Sequence, residues 1–377
     1  MQTESATASN PVLRSVPSRA AWKAGIDLGA STTVYHEIIT GRGGKSVASS
    51  SVLPTAIAYP APGGGGTPAA PEHFLVGQAA LKNRDRLEVF SPMKAPPSER
   101  ASLLFDYARA LRAQIGSGRT GWPWGVVACP RGADAHERKL LQVAGSALFE
   151  RLLLVDEPHL IAMEVLEDPF RQRALVVDIG ERGIRASVVG GFATDLKGRQ
   201  ALHPSASIPK GGAWVDERLR SLLLKRYPDL FLTDVTVAHM KEETAFTPPA
   251  NRVAKVKVML GGEQQTLDIS EILREACEPM AQVVVEAIYR VLLETPRAFL
   301  TDVLGRIYLV GGGASMIGLP ERVKLELARV GFDRVTIHRP EHPRSVLAQG
   351  ALKLALLVPD DCWEMPLFSY AEARDSA

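Results

Sequence analysis

Three turns in this chain have the residue types to meet a phosphate: Ile26-Asp27-Leu28-Gly29, Val177-Asp178-Ile179-Gly180 and Val310-Gly311-Gly312-Gly313. In each, an apolar run reads as a buried strand that ends in glycine. Bare backbone there lets N–H groups approach a polyphosphate and tolerates positive φ. Each turn also has a plain structural reading. A strand-end aspartate forms turns without binding anything, and a triple glycine serves equally as a packing turn between strand and helix. Their order carries the information: Asp-x-Gly, then a strand closing on Asp156-Glu157-Pro158, then Asp-x-Gly, then Gly-Gly-Gly, at domain-scale separations. The second turn is irregular. Glu181 and Arg182 fill its tip, where a phosphate wants bare backbone, so it reads as a nucleotide site, a spoiled one, or a plain hairpin.

The elements that must hold these turns follow from periodicity. From Ala24, "AGIDLGASTTVYHEII" reads as strand, tight turn, strand. Short strand-like pieces follow around a Gly/Pro-rich loop at residues 60–71. "PSERASLLFDYARALRAQIG" has helical spacing of its apolar residues. "WGVVACP" is a strand ending at Pro130, and "DAHERKLLQVAGSALF" is a helix with Asp134 as its N-cap. "RLLLVDEP" is a further strand, and "HLIAMEVL" opens a short helix. The pattern then repeats. "AGIDLG" and "VVDIG" are both apolar-Asp-aliphatic-Gly followed by a turn and a strand, with Asp27 and Asp178 lying 151 residues apart. This reads as an internal duplication, each half a mixed sheet flanked by helices. "GRIYLVGGGASMIGLPERVKLELARVG" adds strand, Gly-rich turn and helix, and "SVLAQGALKLALL" a last helix before a "PDDCWEMPLF" tail.

Bulk properties narrow the function classes. A chain of 377 residues, 46% of them hydrophobic, suits two domains or one large split fold with extensive cores. Its 44 basic and 42 acidic residues nearly balance, and no basic stripe with interleaved aromatics occurs, which argues against nucleic-acid binding. Cys129, Cys277 and Cys362 have no metal-ligand spacing and read as small buried hydrophobes in a reducing cytosol. No apolar run approaches the ~20 residues of a membrane span. The first residues, rich in Ser, Thr, Ala and Pro, lack a signal-peptide core and suggest a disordered tail. A soluble cytoplasmic protein is expected.

The ordered set of motifs resembles the actin-like ATPase superfamily, which includes actin, the DnaK-type chaperone ATPase and the sugar kinases. "GIDLGASTT" is similar to the first phosphate motif, "LLLVDEPHLIA" to the connecting segment, "VVDIG" to the second phosphate motif and "IYLVGGGASMIGLPERV" to the adenosine motif. Within it, "FSPMKAP", "VVACPRGADAHERKLL", "LLETPRAFLTDVLGRIYLVGGGASMIGLP" and "SVLAQGALKLAL" resemble the bacterial actins of the MreB/MamK branch. "GGAWVDERLRSLLLKRYPDL", "VAHMKEETAFTPP" and "LVPDDCWEMP" resemble the magnetosome actins of that branch. The resemblance runs over residues 24–368.

It implies an actin-like α/β fold: two duplicated α/β domains, each with a smaller inserted subdomain, around a nucleotide cleft. Domain I would span 23–168 with an insertion at about 53–90, and domain II 169–335 with an insertion at about 215–275. Residues 336–365 would return to domain I, leaving 1–22 and 366–377 as tails. ATP with Mg²⁺ would be the cofactor. By resemblance Asp27 and Asp178 would hold Mg²⁺ through water, and Gly29, Ala30, Ser31 and Thr32 would form the first phosphate loop with Gly180 opening the second. Glu157 would polarise the attacking water, its plain alternative being a helix-start cap. Lys241 and Glu242 would reach ribose and adenine, or be surface charges; Asp216 would contact the ribose, and Gly311, Gly312 and Gly313 the adenosine side.

The second loop departs from the family pattern Asp-Ile-Gly-Gly/Ala-Gly-Thr-Thr-Asp/Glu, reading Asp178-Ile179-Gly180-Glu181-Arg182-Gly183-Ile184-Arg185. The turn glycine, both hydroxyls and the following acid have changed. Glu181 would face a polyphosphate with like charge, costing about 1 kcal/mol at ~4 Å in water and about 4 at an effective dielectric of 20, unless Arg182 points inward. The expected function is an ATP-binding cytoplasmic bacterial actin that polymerises head to tail with itself, scaffolding or positioning magnetosomes through an adaptor. The alternatives are a pseudo-ATPase scaffold, and a sugar-kinase-like or DnaK-type ATPase. The last is disfavoured because the chain ends soon after the ATPase core.

Overall fold

In the computed structural model, which describes residues 22–41, 44–59, 74–117, 121–191 and 204–363, two five-stranded sheets are built to one plan. In the first half, β1 (Trp22–Leu28), β2 (Thr32–Thr40) and β3 (Ser46–Pro54) form an antiparallel meander. A small separate sheet of β4 (Ile57–Ala58), β5 (Leu75–Val76) and β6 (Val89–Phe90) follows, with α1 (Gln78–Lys82) against it. Then come α2 (Pro97–Gly116), β7 (Trp124–Cys129), α3 (Ala135–Leu148), β8 (Arg151–Asp156) and α4 (Glu157–Val165). Asp134 caps α3, its carboxylate accepting the Glu137 N–H. Pro97 opens α2 at a position whose missing N–H costs no helical bond.

The second half repeats the order. It contains β9 (Arg173–Ile179), β10 (Ile184–Gly190), β11 (Ser205–Ile208), α5 (Gly212–Arg226) and α6 (Asp234–Thr244). The hairpin of β12 (Lys255–Leu260) and β13 (Glu263–Asp268) precedes α7 (Ser270–Cys277), α8 (Met280–Glu294) and α9 (Arg297–Leu304). β14 (Ile307–Val310), α10 (Leu319–Arg329), β15 (Ile337–His338) and α11 (Val346–Leu357) complete it. The sheet orders are β3-β2-β1-β7-β8 and β11-β10-β9-β14-β15. In both, the central strand pairs antiparallel with the next strand and parallel with its other neighbour. The duplication read from two Asp-x-Gly turns therefore extends to whole sheets.

Both faces of each sheet are covered, so β7 and β9 are almost continuously apolar. Val127 and Cys129 of β7 face a core shared with α2 and α3, while Val126 and Ala128 face a different one. On β9, Leu175, Val177 and Ile179 join the core under α5, α7, α8 and α10, and Ala174 and Val176 turn the other way. The core on that other side is common to both halves, and α4 and α11 form it together with Val126, Val176, Val189 and Val310. α11, although last in the chain, packs on β1, β7 and α4. The crossing with α4 is close: a Cβ added at Gly350 would lie 1.9 Å from the Leu160 carbonyl oxygen.

Two features of the sequence reading need adjustment. Cys129 and Cys277 are buried, but Cys362 is exposed in the short turn Asp360–Cys362, an acidic stretch past the last helix with no apolar face to bury. Trp22, assigned to the amino-terminal tail, belongs to β1 and is buried. The remainder of that tail, the Gly/Pro-rich loop at 60–71 and the tail from residue 366 lie outside the described residues.

The α4–α11 crossing yields a direct test. Gly350→Ala places a methyl against backbone that has no rotamer to move, so the helices must separate. Overpacking of this kind costs about 1–3 kcal/mol. Urea unfolding followed by circular dichroism should show a lowered midpoint; an unchanged midpoint would mean the crossing is looser than described.

Candidate nucleotide cleft

The carboxyl ends of β1 and β9 point into one crevice between the halves, the usual ligand position in open α/β sheets. A cavity of about 520 Å³ lies there. It is bordered by Asp27, Gly29, Ala30, Ser31 and Thr32 of the first half, by Glu157, and by Asp178 and Gly180 of the second. Asp216, Lys241, Glu242, Gly311, Gly312 and Gly313 border it too, so every residue singled out in the sequence converges on one space.

The two Asp-x-Gly turns have the same construction. Gly29 N–H donates to the Thr32 carbonyl at 3.1 Å, and Gly180 N–H to the Gly183 carbonyl at 3.0 Å. The irregular loop is thus a hairpin of the same form, and its tip residues Glu181, Arg182 and Gly183 also border the cavity. It is braced from behind. The first amides of α5, on Gly212 and Ala213, each donate at 2.9 Å to the Gly180 and Glu181 carbonyls. Positive φ, expected at the glycine turns, occurs among these glycines only at Gly311 (φ 83°). There a Cβ would also lie 2.3 Å from an Asp178 carboxylate oxygen, so glycine lets this loop close over the end of β9.

Glu181 does not stand alone against the cleft. Lys94, from the segment between β6 and α2, donates to its carboxylate at 2.5 Å, a tie between the two halves. The charge expected from the sequence to repel a polyphosphate is therefore paired with a cation 87 positions away in the chain. Arg182 is exposed at the rim. On the far wall, Lys241 Nζ donates to Asp216 Oδ2 at 2.7 Å and to the Gly212 carbonyl at 2.9 Å, while Glu242 lies 3.7 Å from Arg344. Lys241 and Asp216 are thus a connected polar pair, while Glu242, half exposed, is paired separately with Arg344.

The floor carries the densest charge. Asp27, Asp178 and Glu157 converge, and Arg185 reaches them from β10. Its Nη2 lies 3.2 Å from Asp178 Oδ2 and 3.2 Å from Glu157 Oε2. Glu157 is the first residue of α4; the N-cap position belongs to Asp156, and the Glu157 carboxylate is turned to Arg185. Burial pushes Glu157 up to about 8, with Arg185 opposing and Asp178 and Asp27 adding to the rise. Burial and the neighbouring Asp178 raise Asp27 to about 7, and burial raises Asp178 against the pull of Arg185. Whether these carboxylates suit a resident Mg²⁺ can be tested on the donor set. Among the described residues no group of three or more His, Cys, Asp or Glu is arranged to hold a metal ion directly. An ion held through water needs only one or two carboxylates, but Asp178 and Glu157 already face a guanidinium, whose like charge makes the set a poor fit for Mg²⁺. Arg185 and Lys94 are the charged partners of the cleft acids that the motifs did not single out. The signal for Arg185 was present, as a base standing where the family pattern has an acid.

These shifts fix a pH dependence. Both Asp27 and Glu157 hold protons in the folded protein at pH values where the unfolded chain has released them. Their stabilising contribution is complete below the ordinary carboxylate range and is lost as pH rises through about 7 and about 8. The melting temperature should fall between about pH 5.5 and about pH 8.5, and Glu157→Gln should flatten that slope and melt above wild type at the upper end. Equal slopes for variant and wild type in differential scanning calorimetry would show that Glu157 titrates normally.

Comparison with known proteins agrees with this architecture. The family model described as MreB/Mbl protein matches residues 82–358. The MamK-like protein of Paramagnetospirillum magneticum AMB-1 is 29% identical over 357 residues, covering 90% of this chain and 96% of the relative. The actin-like protein MamK of Magnetospirillum gryphiswaldense is 26% identical, covering 90% of each chain. Among solved structures, a MamK double helical filament superposes with a TM-score of 0.72 at 23% identity, over 90% of this chain and 99% of that one. MreB5 of Spiroplasma citri bound to AMPPNP gives 0.65 at 18% identity, over 88% and 95%. No described helix is long and apolar enough to cross a membrane. With the duplicated sheets, the shared cleft and a family match over most of its length, the chain has the actin-like fold and belongs to the MreB/Mbl family, on the bacterial actin branch that includes MamK.

Proposed function

We propose that this protein is a filament-forming cytoplasmic actin that binds ATP in the cleft and assembles head to tail with copies of itself. In its most specific form it scaffolds or positions magnetosomes through an adaptor. One observation carries the nucleotide part: two turns of identical construction, related by duplication, face each other across a single cavity whose third wall is the Gly311–Gly313 loop. Backbone amides in such turns suit a polyphosphate, and the Lys241–Asp216 wall suits a nucleoside. Assembly is supported by the likeness to a protein that forms a double helical filament. The organelle role is supported by the MamK names of the relatives. Purified protein at micromolar concentration should sediment with ATP and show filaments by electron microscopy. Monomers by light scattering in ATP, in ADP and without nucleotide would overturn the filament reading and favour a soluble kinase-like or chaperone-like ATPase.

A second reading, a scaffold that holds nucleotide without turning it over, is favoured by the engagement of Glu157 with Arg185. The Glu157 carboxyl faces the guanidinium, and burial leaves it protonated until about pH 8, so near neutral pH it does not take the proton of an attacking water. Phosphate release separates the two. If Glu157 positions water, Glu157→Ala should preserve ATP affinity and slow release roughly 10²- to 10⁴-fold. Wild-type release already at background, with ATP bound, establishes the scaffold.

A further inference from the structure

Arg185 occupies its place by register. In the second hairpin it stands directly opposite Asp178, while the equivalent position of the first hairpin, opposite Asp27, is Val34. Both lie seven positions beyond their aspartate. Both positions border the cavity, Val34 as a buried apolar side chain and Arg185 as a partly exposed cation. The tight turn closed by Gly180 and Gly183 fixes the pairing, and a one-residue slip would send the side chain to the opposite face of the sheet. The cation is therefore a built-in feature of the site rather than a mobile surface charge.

Its contacts divide its donors. Nη2 alone bridges Asp178 Oδ2 and Glu157 Oε2, each at 3.2 Å, joining an acid from β9 to an acid from α4. The guanidinium has five N–H donors, so those on Nε and Nη1 remain for a group in the cleft. A cation that bridges two carboxylates while offering further positive contacts to the same space has the outline of a metal bound between protein and polyphosphate. It differs in carrying one charge, in being covalently attached, and in remaining charged at every physiological pH.

We infer that Arg185 takes the place of the divalent cation, so that this chain binds a nucleoside triphosphate without requiring Mg²⁺, its free guanidinium edge meeting the phosphates. The inference rests on the nucleotide reading above. A divalent ion entering among Asp27, Asp178 and Glu157 would have to displace the arginine or sit against like charge. Guanidinium–phosphate contacts are charge-assisted and geometrically specific, so the arginine can supply orientation as well as neutralisation.

The full chain should be titrated into a fluorescent ATP analogue, read by anisotropy, in Mg²⁺ and in EDTA. Wild type should bind in EDTA nearly as well as in Mg²⁺. Arg185→Gln should lose affinity in EDTA by about tenfold to a hundredfold, the loss of a hydrogen bond to a charged group, and recover part of it when Mg²⁺ is added. Arg185→Lys, which keeps the charge without the fork, should fall between them. Wild type that binds in Mg²⁺ and loses more than about tenfold in EDTA overturns the inference while leaving the nucleotide site intact. Arg185→Gln that melts like wild type and binds equally in EDTA also overturns it. Absence of binding by wild type in both buffers overturns the nucleotide reading itself, and the inference with it.

Discussion

Three carboxyl groups share the floor of the cleft, and like charges removed from water cannot all ionise unless something answers them. Arg185 answers two directly, and its field also lowers Asp27. Burial, with the neighbouring acids adding to it, raises Asp27 to about 7 and Glu157 to about 8, so protons relieve the remaining imbalance. Much else depends on this arrangement. It joins the start of α4 to β9 and β10, so the helix that links the halves is tied to the second sheet through charge as well as packing. It also leaves a cleft whose net charge near neutral pH is far less negative than its residue types suggest.

The apolar layer of α4 and α11 sets the distance between the two sheets. The core there draws side chains from both halves, and the backbone approach at Gly350 leaves no space for even one methyl. The turns that face the cavity are consequently held on a stiff support, while the tie from Lys94 to Glu181 spans the cleft at its open side, with the lysine half exposed. A buried helix crossing and an exposed ion pair give the two halves a close-packed inner contact and a weak outer one, since exposed ion pairs contribute little to stability.

The altered second loop takes a different meaning in this setting. Loss of the glycine and hydroxyls reads in isolation as decay. The hairpin nevertheless keeps the hydrogen bond of its unaltered counterpart, is braced by the first turn of α5, and has a partner for each new charge that points inward. The charged replacements are accommodated as a set, since Glu181 without Lys94, or Arg185 without Glu157 and Asp178, would leave an unpaired charge in a partly desolvated site.

The residues that converge on the cleft were legible because local chemistry marks them: strand, aspartate and glycine in a fixed order, twice, then a glycine triplet. Buried parallel strands are apolar on both faces and turns need particular residues, so β1, β9, the capped α3 and the helix at Pro97–Gly116 follow from neighbours in sequence alone. The pairings across the cleft were not legible. Lys94 and Glu181, or Glu157 and Arg185, are brought together by how two sheets and two helices pack, and no periodicity carries the distance between residues so far apart in the chain. Arg185 lay between these cases. Its departure from the family pattern was visible, but only the hairpin register, set by one turn, decided that its charge faces the acids and not solvent.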